Sequence, residues 1–403
     1  MRLTKSLKEW SINKINKFEA GFLFQISLKR RSVASYTLDS LVKFEAKRLF
    51  KSSSYLFTVP NPTVFYLFLL LLITGCASKG GKKPVTTDRP GYRLLSISEA
   101  SKWIITDKKE AFFDKVAPLE MSIQMKENRE EDAREAVLVD YKKMLQKDLE
   151  EFSKEEKELT KGLFDRALEL SYLINPKLKL PEIFLIKTAG KYYGSSVYYT
   201  RDNSIVIPTM MLTMDTDAAK DAFLATMIHE IFHIYSRYNK NKRDALYERI
   251  GFTKLPELNL SEFLKKRVLY NPDGVDLRYS ITVKDKTTGR EFEAIPAIYS
   301  RYKTYNPSLN AFFGYLAFQL FEVENQAGVW SVVNKDVGYS IDEITGFWEQ
   351  VGRNTLYNIH PDELCADNFV IMALAKASNG ENLDKLTEEG KQLVKDLEAI
   401  IAK

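Results

Sequence analysis

The chain has 403 residues, 45% hydrophobic and 28% charged, with 18 Gly and 13 Pro, which excludes collagen-like, low-complexity and disordered classes. Its net charge of +5 is unevenly spread: residues 1–60 hold 12 Lys and Arg against 4 Asp and Glu, so the chain from residue 77 onward carries about −3 and offers no nucleic-acid footprint. Two cysteines exclude a disulfide-rich scaffold, and with only three histidines each position matters.

The first segment reads as an export leader. Residues 63–75 form an uncharged apolar run, preceded by Lys43, Lys47, Arg48 and Lys51. A short apolar stretch behind positive charge is a secretory signal, too short to span a bilayer comfortably; an uncleaved anchor is the alternative. Ile73-Thr74-Gly75-Cys76 resembles the lipobox of bacterial lipoproteins. The resemblance implies that Cys76 is lipidated and anchors the protein in the bacterial cell envelope, facing the periplasm, on either the inner or the outer membrane. Residues 1–75 are then the leader, long enough to fit a start codon placed upstream of the true one. Residues 76–92, rich in Gly, Pro, Lys and Thr, are a flexible tether behind the lipidated cysteine.

Residues 93–180 read as a helical N-terminal part. Glu127 to Leu173 is rich in Glu, Lys and Leu, and Val137, Val139, Tyr141, Leu145, Leu149 and Phe152 give one apolar stripe at approximate helical spacing. Asn175-Pro176 ends the block. Pro181–Ile186 and Val197–Pro208 carry strand-type residues, with a turn at Arg201-Asp202-Asn203. A helix is predicted from Asp217 to Tyr238, and a hairpin over 275–299 with its turn at Lys284–Gly289. Residues 310–333 are apolar without a single period and define neither state. The end is predicted helical over 342–356, 361–377 and 387–402.

Met227-Ile228-His229-Glu230-Ile231-Phe232-His233 contains H-E-x-x-H. On a helix, positions i and i+4 share a face, so both imidazoles can reach one metal ion. Glu230 is displaced about 100° round the helix, where it can serve as base without taking a ligand position. A zinc ion lowers the pKa of a bound water toward about 7, and the glutamate accepts its proton as it attacks a carbonyl.

Such a site needs a third protein ligand. His360 is the one other histidine, in Asn358-Ile359-His360-Pro361-Asp362-Glu363-Leu364-Cys365-Ala366-Asp367. With Pro361 at a first helical position, Glu363 and Asp367 lie on one face. Glu363 is the candidate third ligand, and Asp367 the candidate partner for the outer nitrogen of a ligand histidine. Ala366 is small enough to let the two helices approach. Glu322 and Glu324 are rival ligands, on one face if their segment is a strand. His360 is a candidate oxyanion donor, auxiliary ligand or helix cap. Tyr270, Tyr357 and Arg353 are further candidates for stabilising an oxyanion, with none assigned.

H-E-x-x-H followed by E-x-x-A-D resembles the gluzincin zinc peptidases, especially the membrane-associated heat-shock and CAAX-processing type. Asp202-Asn203-Ser204-Ile205-Val206-Ile207-Pro208, ahead of the motif, is similar to that group's edge strand, which pairs with extended substrate. The resemblance covers roughly 195–240 and 355–375. It implies a zincin-like α+β fold, mostly helical, with a small sheet beside the H-E-x-x-H helix, a catalytic domain over 181–403, one Zn2+ per chain and a peptide or protein substrate. The long gap between His233 and Glu363 predicts an insertion at about 251–340, containing the hairpin, which shapes or covers the cleft. The function expected is metalloendopeptidase hydrolysis at the cell envelope. The alternative is a catalytically inactive zincin-like binding or assembly factor in envelope protein quality control.

Overall fold

The computed structural model describes residues 89–309, 311–333 and 336–403. The leader 1–75, Cys76 and the tether as far as residue 88 lie outside the described residues.

The first of two sheets contains β1 (Tyr92–Leu94), β2 (Ile183–Thr188), β3 (Tyr199–Arg201) and β4 (Ser204–Pro208) in the order β1-β2-β4-β3. β1, β2 and β4 are parallel, and β3 runs antiparallel to β4. β2 is apolar at successive positions because both its faces are covered. Ile183, Leu185, Ile205 and Ile207 enter one core, while Phe184, Ile186, Tyr199 and Val206 enter another on the opposite face. The second core is completed by α1 (Ile97–Trp103), α2 (Phe112–Lys115), α3 (Pro118–Met125) and α4 (Arg134–Lys147).

The long helical pattern after Glu127 is broken in two. α4 ends at Lys147, Leu149 bridges to Thr188, and Ser153 caps a new helix, α5 (Lys154–Ile174). Its capping box is complete: Ser153 Oγ accepts from Glu156 N–H at 3.1 Å, and Glu156 accepts from Ser153 N–H at 2.7 Å. Leu149 and Phe152 are buried from this connection rather than from a helix, and Val139 in the predicted stripe is 52% exposed. β1 ties the helical part 93–180 into the same sheet as the strands after 181.

α6 (Asp217–Tyr238) is the helix carrying H-E-x-x-H. Thr216 caps it, its side chain accepting from Ala219 N–H at 3.1 Å. Phe223 and every residue from Ala225 to Arg237 are buried, so this helix is apolar on most sides. α7 (Lys240–Arg249) follows.

The region after α7 forms the second sheet. Its strands are β5 (Phe252–Lys254), β6 (Leu258–Asn259), β7 (Tyr279–Asp285), β8 (Glu291–Ser300), β9 (Leu316–Gln326), β10 (Val329–Val332) and β11 (Ile344–Thr345), with α8 (Glu262–Arg267) between β6 and β7. The order is β11-β7-β8-β9-β10-β6, with β5 paired to β7. The predicted hairpin is therefore two strands of a seven-stranded sheet. Residues 310–333 lack a clear period because β9 is covered on both sides: Leu320 enters the main core, and Phe321 and Val323 a smaller one with Leu264 of α8.

The helix predicted over 342–356 is not formed. That segment holds β11 and the short α9 (Phe347–Val351), bounded by Gly346 and Gly352 at φ 88° and 77°. These left-handed conformations interrupt helical continuation on either side. α10 (Pro361–Ala377) and α11 (Glu388–Ala402) complete the chain. α10 packs against α6. Ala366 is fully buried, and the Phe369 ring lies 5.4 Å from Phe232 and 6.5 Å from Tyr235 between centroids.

The segment 202–208, similar in sequence to an edge strand, is mainly an interior strand: β4 lies between β2 and β3. The edge on the α6 side is β3. Among the described residues no helix is long and apolar enough to cross a membrane.

Candidate metal centre

α6 places His229 and His233 one turn apart, with ring centroids 4.5 Å apart and ring planes at 80°. α10 brings Glu363 to both: its Oε2 lies 3.0 Å from His229 Nε2 and 3.4 Å from His233 Nε2. The three side chains are buried and can hold a metal ion. Two observations fit that use. His233 Nε2 is buried with no polar contact closer than its 3.4 Å approach to Glu363 Oε2, and two imidazoles with one carboxylate are a known donor set for a catalytic metal.

The outer nitrogens are fixed. His229 Nδ1 donates to Asp367 Oδ1 at 2.9 Å, and His233 Nδ1 donates to Asp362 Oδ2 at 2.6 Å. With Nδ1 protonated on both rings, each Nε2 presents its lone pair toward Glu363 when the ring is neutral. Asp367 also accepts from Thr355 Oγ1, and Asp362 from Ser236 Oγ and Tyr247 OH. Glu363 Oε1 accepts from Asn271 Nδ2 at 2.5 Å.

Electrostatics follow from burial and partners. Burial and the neighbouring His233 pull His229 down, but the hydrogen bonds to Asp367 and Glu363 outweigh them and raise it to about 9. Burial also opposes charge on His233, which Glu363, Asp273 and Asp362 raise well above its usual value. Against burial, the two imidazoliums hold Glu363 far below the usual carboxylate range. Without a cation the site thus stores protons on both rings, and an ion entering it must displace them.

Glu230 points to the same place from the next position round α6. Its carboxyl is buried, its Oε2 has no hydrogen-bond partner among the described residues, and burial followed by the Asp273 charge raises it to about 8. Ligand atoms of Glu230, His233 and Asp273 all lie within 4.8 Å of one another.

The structure thus brings together His229, Glu230, His233, Glu363 and Asp367. His360 is placed otherwise, as the N-cap of α10. Its Nδ1 accepts from Asp362 N–H at 3.1 Å, and its Nε2 faces Asp276 O at 3.3 Å. Burial pushes its pKa down, consistent with a neutral ring. Glu322 lies on β9, paired with Arg290 at 2.6 Å, and neither it nor Glu324 joins the metal group. Cys365 is buried beside the group without entering it. Of the three oxyanion candidates, Tyr357 lies beside His229 with ring centroids 6.2 Å apart, Tyr270 is on a loop crossing the site, and Arg353 stacks over Trp348 at 5.3 Å.

Several site residues escape the motif. Asp362 adjoins the recognised Glu363, and its position one step along the same helix start was the available signal. Asn271-Pro272-Asp273-Gly274 is a plain turn signal, but nothing local to it says that it lies over His233. No protein-family model, curated protein or solved structure matches the chain.

Proposed function

We propose that the protein is a zinc-dependent peptidase of the gluzincin type, acting on peptides or proteins at the bacterial cell envelope and held to the membrane by a lipid on Cys76. The observation that carries this reading is the convergence of Glu363 from α10 on both imidazoles of the α6 motif, with Glu230 beside them. The lipobox-like Ile73-Thr74-Gly75-Cys76 supports the location.

Zn2+ bound at His229, His233 and Glu363 would supply Lewis acidity and bring the pKa of a water toward about 7. Asp367 and Asp362 hold the imidazoles in the tautomer that leaves Nε2 free. Glu230 takes the proton of the attacking water on its unpartnered Oε2 and delivers it to the leaving amine. Tyr357, whose ring lies beside His229, is the candidate to steady the carbonyl oxygen as it gains charge. An extended peptide pairs along the β3 edge only after Asp273 releases the Thr200 N–H.

One observation favours the second reading, an inactive zincin-like binding or assembly factor in envelope quality control. Asp273 already occupies the Thr200 N–H of β3, at 2.6 Å. A digest of a mixed peptide library by zinc-loaded protein separates the two. Products that disappear in Glu230→Gln, with zinc retained, establish the peptidase. Peptide binding without products in the wild type establishes the binding factor.

A further inference from the structure

β3 presents its two faces to different surroundings. Thr200 faces α6, where Arg237 Nη2 donates to its hydroxyl at 2.9 Å. Tyr199 and Arg201 face the opposite way, into the second core. Arg201 is 2% exposed, and its Nε, Nη1 and Nη2 all lack a hydrogen-bond partner among the described residues. Aromatic rings surround it instead. Its Cζ lies 4.2 Å from the Phe112 ring centroid, 4.5 Å from that of Phe113 and 5.5 Å from that of Tyr199. Ring faces attract the positive charge, but they are weak acceptors for five N–H groups that water satisfies in the unfolded chain. A guanidinium cannot give up its proton to escape the cost.

The acceptors nearest to it are engaged elsewhere. Glu120 of α3 accepts from Tyr270 N–H at 2.9 Å and from Gln124 Nε2 at 3.1 Å. Asp107, ahead of α2, accepts from the N–H groups of Lys109, Glu110 and Phe112. Neither carboxyl hydrogen-bonds the guanidinium. Burial raises Glu120 to about 8, so at pH 7 it is mostly neutral and does not balance Arg201. Tyr193 OH, in the same cluster, is also buried without a well-formed hydrogen bond, since its neighbours Tyr141 and Gln124 bond to each other at 2.7 Å. The Tyr193 ring lies 4.9 Å from that of Tyr199. The cluster therefore has an excess of donors and an excess of positive charge. A small acceptor carrying one negative charge answers both.

We propose that Arg201 and Tyr193 hold a buried monovalent anion of halide size, which in ordinary salt is chloride. The anion pairs with the guanidinium, accepts from the Tyr193 hydroxyl and lies among the rings of Phe112, Phe113 and Tyr199. It neutralises Arg201 and so fixes β3 from the face opposite Thr200. The site is separate from the candidate metal centre and does not rest on the peptidase reading.

Two measurements test it. In the first, crystals of the purified protein grown with bromide as the halide are measured at the bromine absorption edge. An anomalous peak at hydrogen-bond distance from the Arg201 guanidinium is expected. Density there without anomalous signal, or a protein acceptor bonded to the guanidinium, overturns the site, and this result needs no variant. In the second, protein dialysed into sodium methanesulfonate is melted at pH 7 while chloride replaces that bulkier anion at constant ionic strength, from millimolar to several hundred millimolar. The melting temperature is expected to rise by about 2–4 °C for each tenfold increase in chloride once the site is mostly filled. Arg201→Met should lose this dependence. A flat wild-type response, or an equal rise in folded Arg201→Met, overturns the site.

Discussion

His233 Nδ1 lies 2.6 Å from Asp362 Oδ2, so the second histidine of the motif is oriented by the residue directly before the carboxylate that faces its other nitrogen. One short stretch at the start of α10 thereby supplies both a candidate ligand, Glu363, and the group that aims another ligand at it. Asp362 is itself fixed by Ser236 of α6 and Tyr247 of α7. The relationship makes the centre a property of three helices rather than of the H-E-x-x-H helix alone.

Removing that orienting group should weaken the metal without removing a ligand. Asp362→Ala is expected to lower Zn2+ affinity by about 10–100-fold, the usual cost of losing a partner to a ligand histidine. Competition against a chromogenic chelator measures it. Unchanged affinity in a folded variant would mean that His233 is held by packing alone.

The α6–α10 contact sets the distance between the two halves of the centre. Phe369 is fully buried against Phe232 and Tyr235. Phe369→Ala should destabilise the fold by about 3–5 kcal/mol through lost burial and the cavity left behind. Denaturant unfolding of the metal-free form reads this directly, and a loss below about 1 kcal/mol would show that the helices close up over the gap.

Gly274 tests the seat of the loop that crosses the centre. Gly274→Ala puts a methyl 2.2 Å from His360 Nδ1, so either the turn or the cap of α10 must move. The cost expected is about 1–3 kcal/mol, typical of overpacking, and it is read by thermal unfolding. A melting temperature equal to the wild type's would show that the loop yields freely.

The metal-free protein should lose stability as pH rises. Glu120 and Glu230 are raised to about 8, each by burial, and His229 to about 9 by its carboxylate partners against its own burial. A group raised in the folded state contributes fully below its unfolded value, about 4.3 for Glu and about 6.5 for His, and that contribution is lost as pH passes the folded value. All three therefore favour folding at lower pH, and their loss spans roughly pH 5 to 9. The lowered carboxyls Asp276 and Glu363 act in the opposite sense, but their contribution is complete once pH exceeds ordinary carboxylate values. Melts of chelator-treated protein from pH 6 to 9 should fall steadily, while added Zn2+ should raise the melting temperature more at pH 8 than at pH 6, because binding releases protons. A melting temperature that rises with pH without metal would contradict the assignment.

What could be read from the sequence was what is local. The helix over Asp217–Tyr238 and the turn at Arg201-Asp202-Asn203 were legible as local signals, and α10 follows from Pro361. The E-x-x-A-D spacing sufficed to place Glu363 and Asp367 on one face. What stayed hidden depends on contacts between distant segments. β9 is covered on two sides and shows no period, and α9 is short because two left-handed glycines bracket it. Asp273 reaches the centre from 40 residues beyond His233, through a loop whose residues say turn and nothing more.

The metal content of purified protein, taken by inductively coupled plasma mass spectrometry beside His229→Ala, decides whether the centre holds an ion. About one zinc per chain is expected in the wild type, and its loss in the variant. A folded, metal-replete wild-type sample without zinc would contradict the metal reading.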